Sequence, residues 1–185
     1  MWRSADDWVC AFRYEKDAER LYRVLPKRLA KCNLQVAPEK TRLWRCSRFH
    51  PGRQRRFSFL GFEFAWMPDR QGVPRVTRRT ARKKLHSACR RIAAWITQHR
   101  HLPGRDFFQQ LNARLRGHYQ YYGVRGNARA LFRFFQWAMD CTFKWLNRRG
   151  GKRQRVTWEQ CTRLLDRIKR ARPCITEVQR RRVFA

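Results

Sequence analysis

FSFLGFEFAW, residues 57 to 66, alternates aromatic with small or polar side chains on either side of a Leu-Gly pair. A period of two with aromatic enrichment is a strand pattern, and glycine at the centre suits a tight turn. The stretch predicts strand, turn, strand about Gly61. Working backwards, residues 2 to 12 predict another β-hairpin: Trp8, Cys10 and Phe12 alternate with Val9 and Ala11, and Ala5-Asp6-Asp7 forms the turn. Between the hairpins, EKDAERLYRVLPKRLAK (15 to 31) predicts a helix with Ala18, Leu21, Tyr22, Leu25 and Leu29 on one face and a kink at Pro26. Asn33 is a left-handed stop. Residues 34–37 and 42–46 read as short strands flanking a PEKT turn, 38–41.

Working forwards, the period changes. Residues 67 to 79, with two prolines and a glycine, predict a domain boundary. Beyond it the spacing is helical. Thr80 is placed to cap a helix whose face is Leu85, Ala88 or Cys89, Ile92 and Trp95 or Ile96. Pro103 and Gly104 break it. A second helix from Asp106 buries Phe107, Leu111, Leu115 and Tyr119 and ends at Gly123. A third, 127–147, presents Leu131, Phe134, Phe135, Ala138, Cys141 and Trp145. Thr157 and Gln160 form a capping-box pattern for a last helix to about residue 170. The fold class is α+β: β-hairpins plus a helix over 1–67, a linker over 68–79, a basic helical bundle over 80–170 and a basic C-terminal tail over 171–185.

The chain has 185 residues with 45 Lys and Arg against 13 Asp and Glu, a formal charge of +32. With 43% hydrophobic and 14% aromatic residues, it has the means to bury a core and is no disordered basic tail. So much like charge opposes compaction unless a polyanion neutralises it, and phosphate backbones are the commonest such partner. Arginine predominates over lysine, which favours bidentate phosphate contacts and stacking on bases; a GC-rich gene also favours arginine codons. The seven cysteines hold no CxxC pair, and the five histidines form no zinc spacing with them. The pattern reads as free thiols in a reducing cytoplasm. No apolar run is long enough to span a membrane, and no signal peptide precedes the first charge.

Asp6 and Asp7 stand side by side in this basic chain. Two readings exist. Adjacent carboxylates in a hairpin turn are tolerated in water as a solvated pair. Alternatively they hold Mg2+, a hard cation that takes oxygen ligands from carboxylates and substrate phosphates in phosphoryl transfer.

The order of SADD hairpin, amphipathic helix, PEKTRL, FLGF hairpin and then a basic bundle with LNARLRGHYQYYGV (111 to 124) resembles the C-terminal part of group II intron-encoded reverse transcriptases, or maturases. The resemblance covers essentially the whole chain. It implies that 1–67 is the end of a reverse-transcriptase palm and that the helical region is the thumb, or maturase-specific domain. Asp6 and Asp7 match the two aspartates of the family's Tyr-Ala-Asp-Asp motif. Lys40 matches a position tied to protonation of the leaving pyrophosphate, or else is a solvated turn lysine. Phe59, Leu60, Gly61 and Phe62 match the hairpin that grips the primer, a role compatible with ordinary apolar packing.

Two departures qualify the implied activity. Ser4 stands where the family has its tyrosine, so the ring that packs near the primer end is missing. Only five residues precede Asp6, which leaves no room for the fingers or for the earlier palm aspartate. The expectation is a truncated protein that binds intron RNA to assist splicing, with polymerase activity lost in this chain alone and Mg2+ required only if that site is completed. Two alternatives stand beside it. One is an RNA-directed DNA polymerase acting on a DNA primer or target when another fragment supplies the missing parts. The other is a remnant with nonspecific nucleic-acid binding. The ending shows no His and Cys cluster of an HNH endonuclease, which predicts no DNA cleavage.

For RNA, the expected contacts are Arg78, Arg79, Arg82, Lys83 and Lys84 at the start of the first bundle helix, and Arg114, Arg116, Tyr121 and Arg125 around LRGHYQYYG. Arg148 and Arg149 open a basic glycine-containing loop. Cations neutralise phosphate, while aromatic and Arg planes stack on unpaired bases. Leu115, Tyr119 and Tyr122 are assigned to the core.

Overall fold

The structure, a computed structural model, describes residues 2–4, 7–46, 56–69, 71–149, 157–167 and 170–177. The chain is α+β: the described residues form five helices and a small three-stranded antiparallel sheet beside a two-stranded pair. It divides into two compact units, Met1–Thr77 and Arg78–Ala185.

In the first unit, β1 (Trp2–Ser4) and β2 (Asp7–Val9) form an antiparallel pair with Ser4 opposite Asp7. The hairpin is shorter than expected: 10 to 12 are not strand. α1 (Glu15–Ala30) follows with Pro26 inside it. It ends as the sequence predicts. Asn33 takes φ 55°, its N–H bonds the Ala30 carbonyl at 3.1 Å, and the Leu34 N–H reaches back to Leu29 at 3.0 Å. This paired closure satisfies carbonyls that a helix end leaves open.

The strands expected over 34–37 and 42–46 do not form. The turn between them does: the N–H of Lys40, and the N–H and hydroxyl of Thr41, all bond the Ala37 carbonyl. An extended segment becomes a strand only with a ladder partner, and these segments lack one among the described residues.

β3 (Phe57–Phe59) and β4 (Phe62–Pro68) pair antiparallel with Phe59 opposite Phe62. The two residues between them, Leu60 and Gly61, have φ of 49° and 78°. Positive φ at both central positions is the type I′ turn, whose twist matches that of right-handedly twisted strands. Phe57 stacks on Phe64 across the pair at 5.0 Å.

The stretch read as a linker instead carries β5 (Pro74–Thr80), and the division between units falls inside it. The prolines do not prevent this. Pro68 ends β4 and Pro74 begins β5, positions where a missing N–H is tolerated. Asp69 organises the connection: Oδ1 accepts from the N–H of Gln71 and Val73, and Oδ2 pairs with Arg75 at 2.7 Å.

No described side chain of the first unit is buried. α1 carries its expected apolar row, yet Ala18, Leu21, Leu25 and Leu29 are only half covered and Tyr22 is exposed.

The second unit holds the core. α2 (Arg82–Gln98), α3 (Gly104–Tyr122), α4 (Ala128–Arg149) and α5 (Trp158–Arg167) bury one contiguous cluster. Ile92, Trp95 and Ile96 come from α2, Phe107, Leu111, Leu115 and Tyr119 from α3, Leu131, Phe134 and Ala138 from α4, and Cys161 and Leu165 from α5. Each large apolar side chain so buried contributes about 1.5–3 kcal/mol. The apolar faces match the helical spacing. The capping box forms as predicted: Thr157 N–H bonds Gln160 Oε1 at 3.0 Å and Gln160 N–H bonds Thr157 Oγ1 at 3.3 Å.

Thr80 is not the cap of α2. Ala81 occupies that position, and Thr80 ends β5 as a buried residue bonded to Asn127. The expected tail is also corrected in part. Residues 170–177 form a strap along α3: Ala171 N–H bonds Asn112 Oδ1 at 2.8 Å, Tyr119 Oη donates to the Ala171 carbonyl, and Thr176 and Glu177 N–H both bond the Gly123 carbonyl. Residues 178–185 lie outside the described residues.

Candidate nucleic-acid interface

Asp6 lies outside the described residues. Asp7 opens β2 as an exposed carboxylate, and among the described residues no group of three His, Cys, Asp or Glu could hold a metal ion. Lys40 sits exposed in its turn. Phe59 and Phe62 are half-buried partners across the hairpin, with Leu60 exposed at its tip and Gly61 beside it.

The helical unit concentrates the positive charge. Arg79 near the end of β5 and Arg82, Lys83 and Lys84 in the first turn of α2 are all exposed, with no acidic residue in that turn. A helix N-terminus carries the positive end of the macrodipole, so cations there cost about 0.3–1 kcal/mol each at low ionic strength. An external anion relieves that cost.

Arg78 stands apart. It is half-buried and ion-paired with Glu177, whose other oxygen accepts the Arg125 N–H at 2.8 Å. That backbone bond is the largest influence; burial opposes it, and the Arg78 guanidinium and the Arg125 charge add to it, so the Glu177 carboxyl is held below its ordinary value. The Arg125 side chain itself faces solvent.

Several arginines lie over aromatic rings. Arg114 stands over Trp95 at 4.6 Å from the ring centre, while Arg100 and Arg148 both approach Trp145, at 4.8 and 4.7 Å. The rings restrict guanidinium motion without neutralising it. None of the three is in an ion pair among the described residues. Arg116 is exposed, and exposed Tyr121 meets Tyr122 edge to face at 4.7 Å. Arg149 ends α4, its side chain outside the described set. The assignment of Leu115 and Tyr119 to the core holds, with Tyr122 half-buried.

His118 is no phosphate ligand. Its ring stacks on Phe134 at 3.7 Å, its buried Nε2 has no hydrogen-bond partner, and burial, aided by the Arg91 charge, lowers its pKa to about 4. It is a neutral packing residue at pH 7. Burial likewise pushes the Tyr119 hydroxyl well above its ordinary value.

The sequence reading omitted Arg100, and it omitted the outer face of α4, where Arg129, Phe132, Arg133 and Trp137 are exposed. A signal was available: Phe132 and Trp137 fall off the stripe of Leu131, Phe134, Phe135 and Ala138, so two large aromatics occupy solvent positions of an otherwise amphipathic helix. Comparison with family models, with curated proteins and with solved structures returned no match for this chain.

Proposed function

We propose that the helical unit binds structured RNA, as the thumb of a group II intron-encoded maturase does, and that intron RNA is the partner whose folding and splicing it assists. The carrying observation is the set of exposed cations without carboxylate partners among the described residues, three of them held over tryptophan rings. Cations gathered at the dipole-positive end of α2 support the same reading. On this reading residues 1–67 derive from a polymerase palm.

The test is a salt series of binding curves on a folded group II intron RNA and on a random RNA of equal length. Affinity for both should fall by roughly 10³-fold between low and moderate salt, as expected for several phosphate contacts. The intron RNA should stay tighter throughout. Equal affinity for the two would reject the maturase reading and leave nonspecific binding by a remnant.

A second reading is favoured by one observation, the lack of any buried side chain in the described part of the first unit. A half-covered apolar row on α1 fits a palm completed by another polypeptide carrying the fingers. That reading expects Mg2+-dependent primer extension on mixing with such a fragment, abolished by Asp6→Ala. Extension that survives the substitution counts against it.

A further inference from the structure

On the outer side of α4, an open groove of about 470 Å³ runs between that helix and the C-terminal strap. Arg129, Phe132 and Arg133 line one side, and Pro173, Cys174 and Ile175 the other. The volume is within the range of small-ligand sites. The strap wall is fixed from both ends, by the Ala171 bonds to Asn112 and Tyr119 and by the Thr176 and Glu177 bonds to Gly123. The groove therefore needs no ordering of the strap before it is occupied.

Its chemistry is specific. Phe132 is 59% exposed, a large apolar ring in water, and Phe135 stands behind it at 6.3 Å between ring centres. Arg129 and Arg133 are exposed, four residues apart on one helix face, and neither has an ion-pair partner among the described residues. Like charges at that spacing repel, and an anion between them removes the repulsion. An aromatic platform flanked by two unneutralised guanidiniums, facing an apolar wall, is what an unpaired base and its phosphates require. A duplex offers no free base face to the ring.

We infer that this groove is a subsite for one unpaired nucleotide of a single strand, the base stacking on Phe132 against Pro173 and Ile175 and the adjoining phosphates meeting Arg129 and Arg133. The subsite rests on the reading of the helical unit as an RNA-binding surface and adds what part of the RNA it selects. Single-stranded RNA and single-stranded DNA share the chemistry, so both enter the test.

The experiment measures anisotropy of labelled octauridylate, octathymidylate and a short blunt RNA duplex with the full chain, together with the rate at which iodoacetamide alkylates Cys174, read by peptide mass mapping. Phe132→Ala should weaken both single strands about ten-fold, the effect of losing one stacked base. It should leave duplex affinity within two-fold and the melting temperature unchanged. Phe132→Trp should restore single-strand affinity, and octauridylate should slow Cys174 alkylation in the wild type but not in Phe132→Ala. A tighter fit to octauridylate than to octathymidylate identifies RNA as the source, and equal fits identify any unpaired strand. Single-strand affinity unchanged in Phe132→Ala, equal losses on duplex and single strand, or no protection of Cys174 would overturn the subsite, including in favour of a protein partner on the same ring. Wild-type chain that binds none of the three at low salt would overturn the RNA-binding reading itself, an outcome distinct from failure of the groove alone.

Discussion

Asn127 holds Thr80 by two bonds at once: its Oδ1 accepts the Thr80 N–H at 2.8 Å and its Nδ2 donates to Thr80 Oγ1 at 2.7 Å. The same Nδ2 also reaches the Tyr122 carbonyl at 2.9 Å, and the Asn127 carbonyl accepts the Ala130 and Leu131 N–H groups that begin α4. One buried amide thus ties the end of β5 to the end of α3 and the start of α4. Asn127→Ala leaves the buried Thr80 N–H unsatisfied and removes the donor to Thr80 Oγ1, while the Tyr122 carbonyl keeps the Val124 N–H, so a loss of about 1–3 kcal/mol is expected in chemical denaturation. Asn127→Asp keeps the acceptor but buries a carboxylate with one oxygen against the Tyr122 carbonyl, so its loss should be at least as large as that of alanine. A change below about 1 kcal/mol in the alanine variant would show that the clamp is not integral to the unit.

Gly123 and Gly117 lie on the same helical hairpin end and helix, yet alanine should act oppositely at the two. A Cβ at 123 overlaps the Tyr119 carbonyl oxygen and stands 2.7 Å from Thr176 Oγ1 and 2.9 Å from the Cys174 carbonyl. The strap must move. Gly123→Ala should lower stability and raise hydrogen exchange at the Thr176 and Glu177 amides. At 117, an exposed helix-interior site, a Cβ meets nothing within 4 Å, so Gly117→Ala should stabilise by about 0.5–1 kcal/mol. Matching effects of the two substitutions would contradict this assignment.

The His118 pKa of about 4 in the fold lies below its ordinary 6.5. Between those values the unfolded chain binds more protons than the folded one, so stability is full above 6.5 and declines as pH falls towards about 4. Since Nε2 has no partner to lose, His118→Phe should keep the stack on Phe134 and flatten that decline. Melting temperatures at several pH values across the window report it, and an unchanged slope in the variant would assign the pH dependence to other groups.

Glu177 is shifted downward, so its contribution is present above the ordinary carboxylate range and is lost as pH falls through the depressed folded value. Glu177→Gln removes the charge facing Arg78 while retaining an acceptor for the Arg125 N–H. The expected result is faster exchange of the strap amides at neutral pH and little further change on acidification. Strap exchange in the variant that still rises with acid as in the wild type would rule out Glu177 as the acid-sensitive tie.

Arg100 and Arg148 share the Trp145 ring, which separates the effect of charge from that of restraint. If both contact phosphate, Arg100→Gln should weaken RNA binding and lower the slope of log affinity against log salt by about 1. Trp145→Leu keeps both charges and an apolar side chain. It should weaken binding by a few-fold while leaving the slope unchanged, since a cation–π contact is worth about 0.5–1 kcal/mol at an exposed site. Binding curves for the two variants in one salt series decide it, and a slope change in Trp145→Leu would contradict the assignment.

Much of this architecture was written in short-range patterns. The stripes of α2, α3 and α4, the Leu60-Gly61 turn, the Asn33 stop and the Thr157-Gln160 box each depend on residues within a few positions of one another, and each formed as the spacing predicts. Exposure of Arg116 and Tyr121 followed from the same helical period, while Arg125 is exposed in the turn between α3 and α4.

What the sequence by itself determined, then, is which segments are helical, which face each helix buries, and that the outside is overwhelmingly cationic. Only tertiary structure decided that Thr80 ends a strand instead of capping a helix, that Arg78 is bound to Glu177, and that residues 170–177 are a strap and one wall of a groove. The physical reason is range. Periodicity and capping report contacts a few residues apart, whereas the Thr80–Asn127, Asn112–Ala171 and Arg78–Glu177 pairs join positions 47, 59 and 99 residues apart, and such polar pairs form only once the packed helices have brought their buried donors and acceptors together.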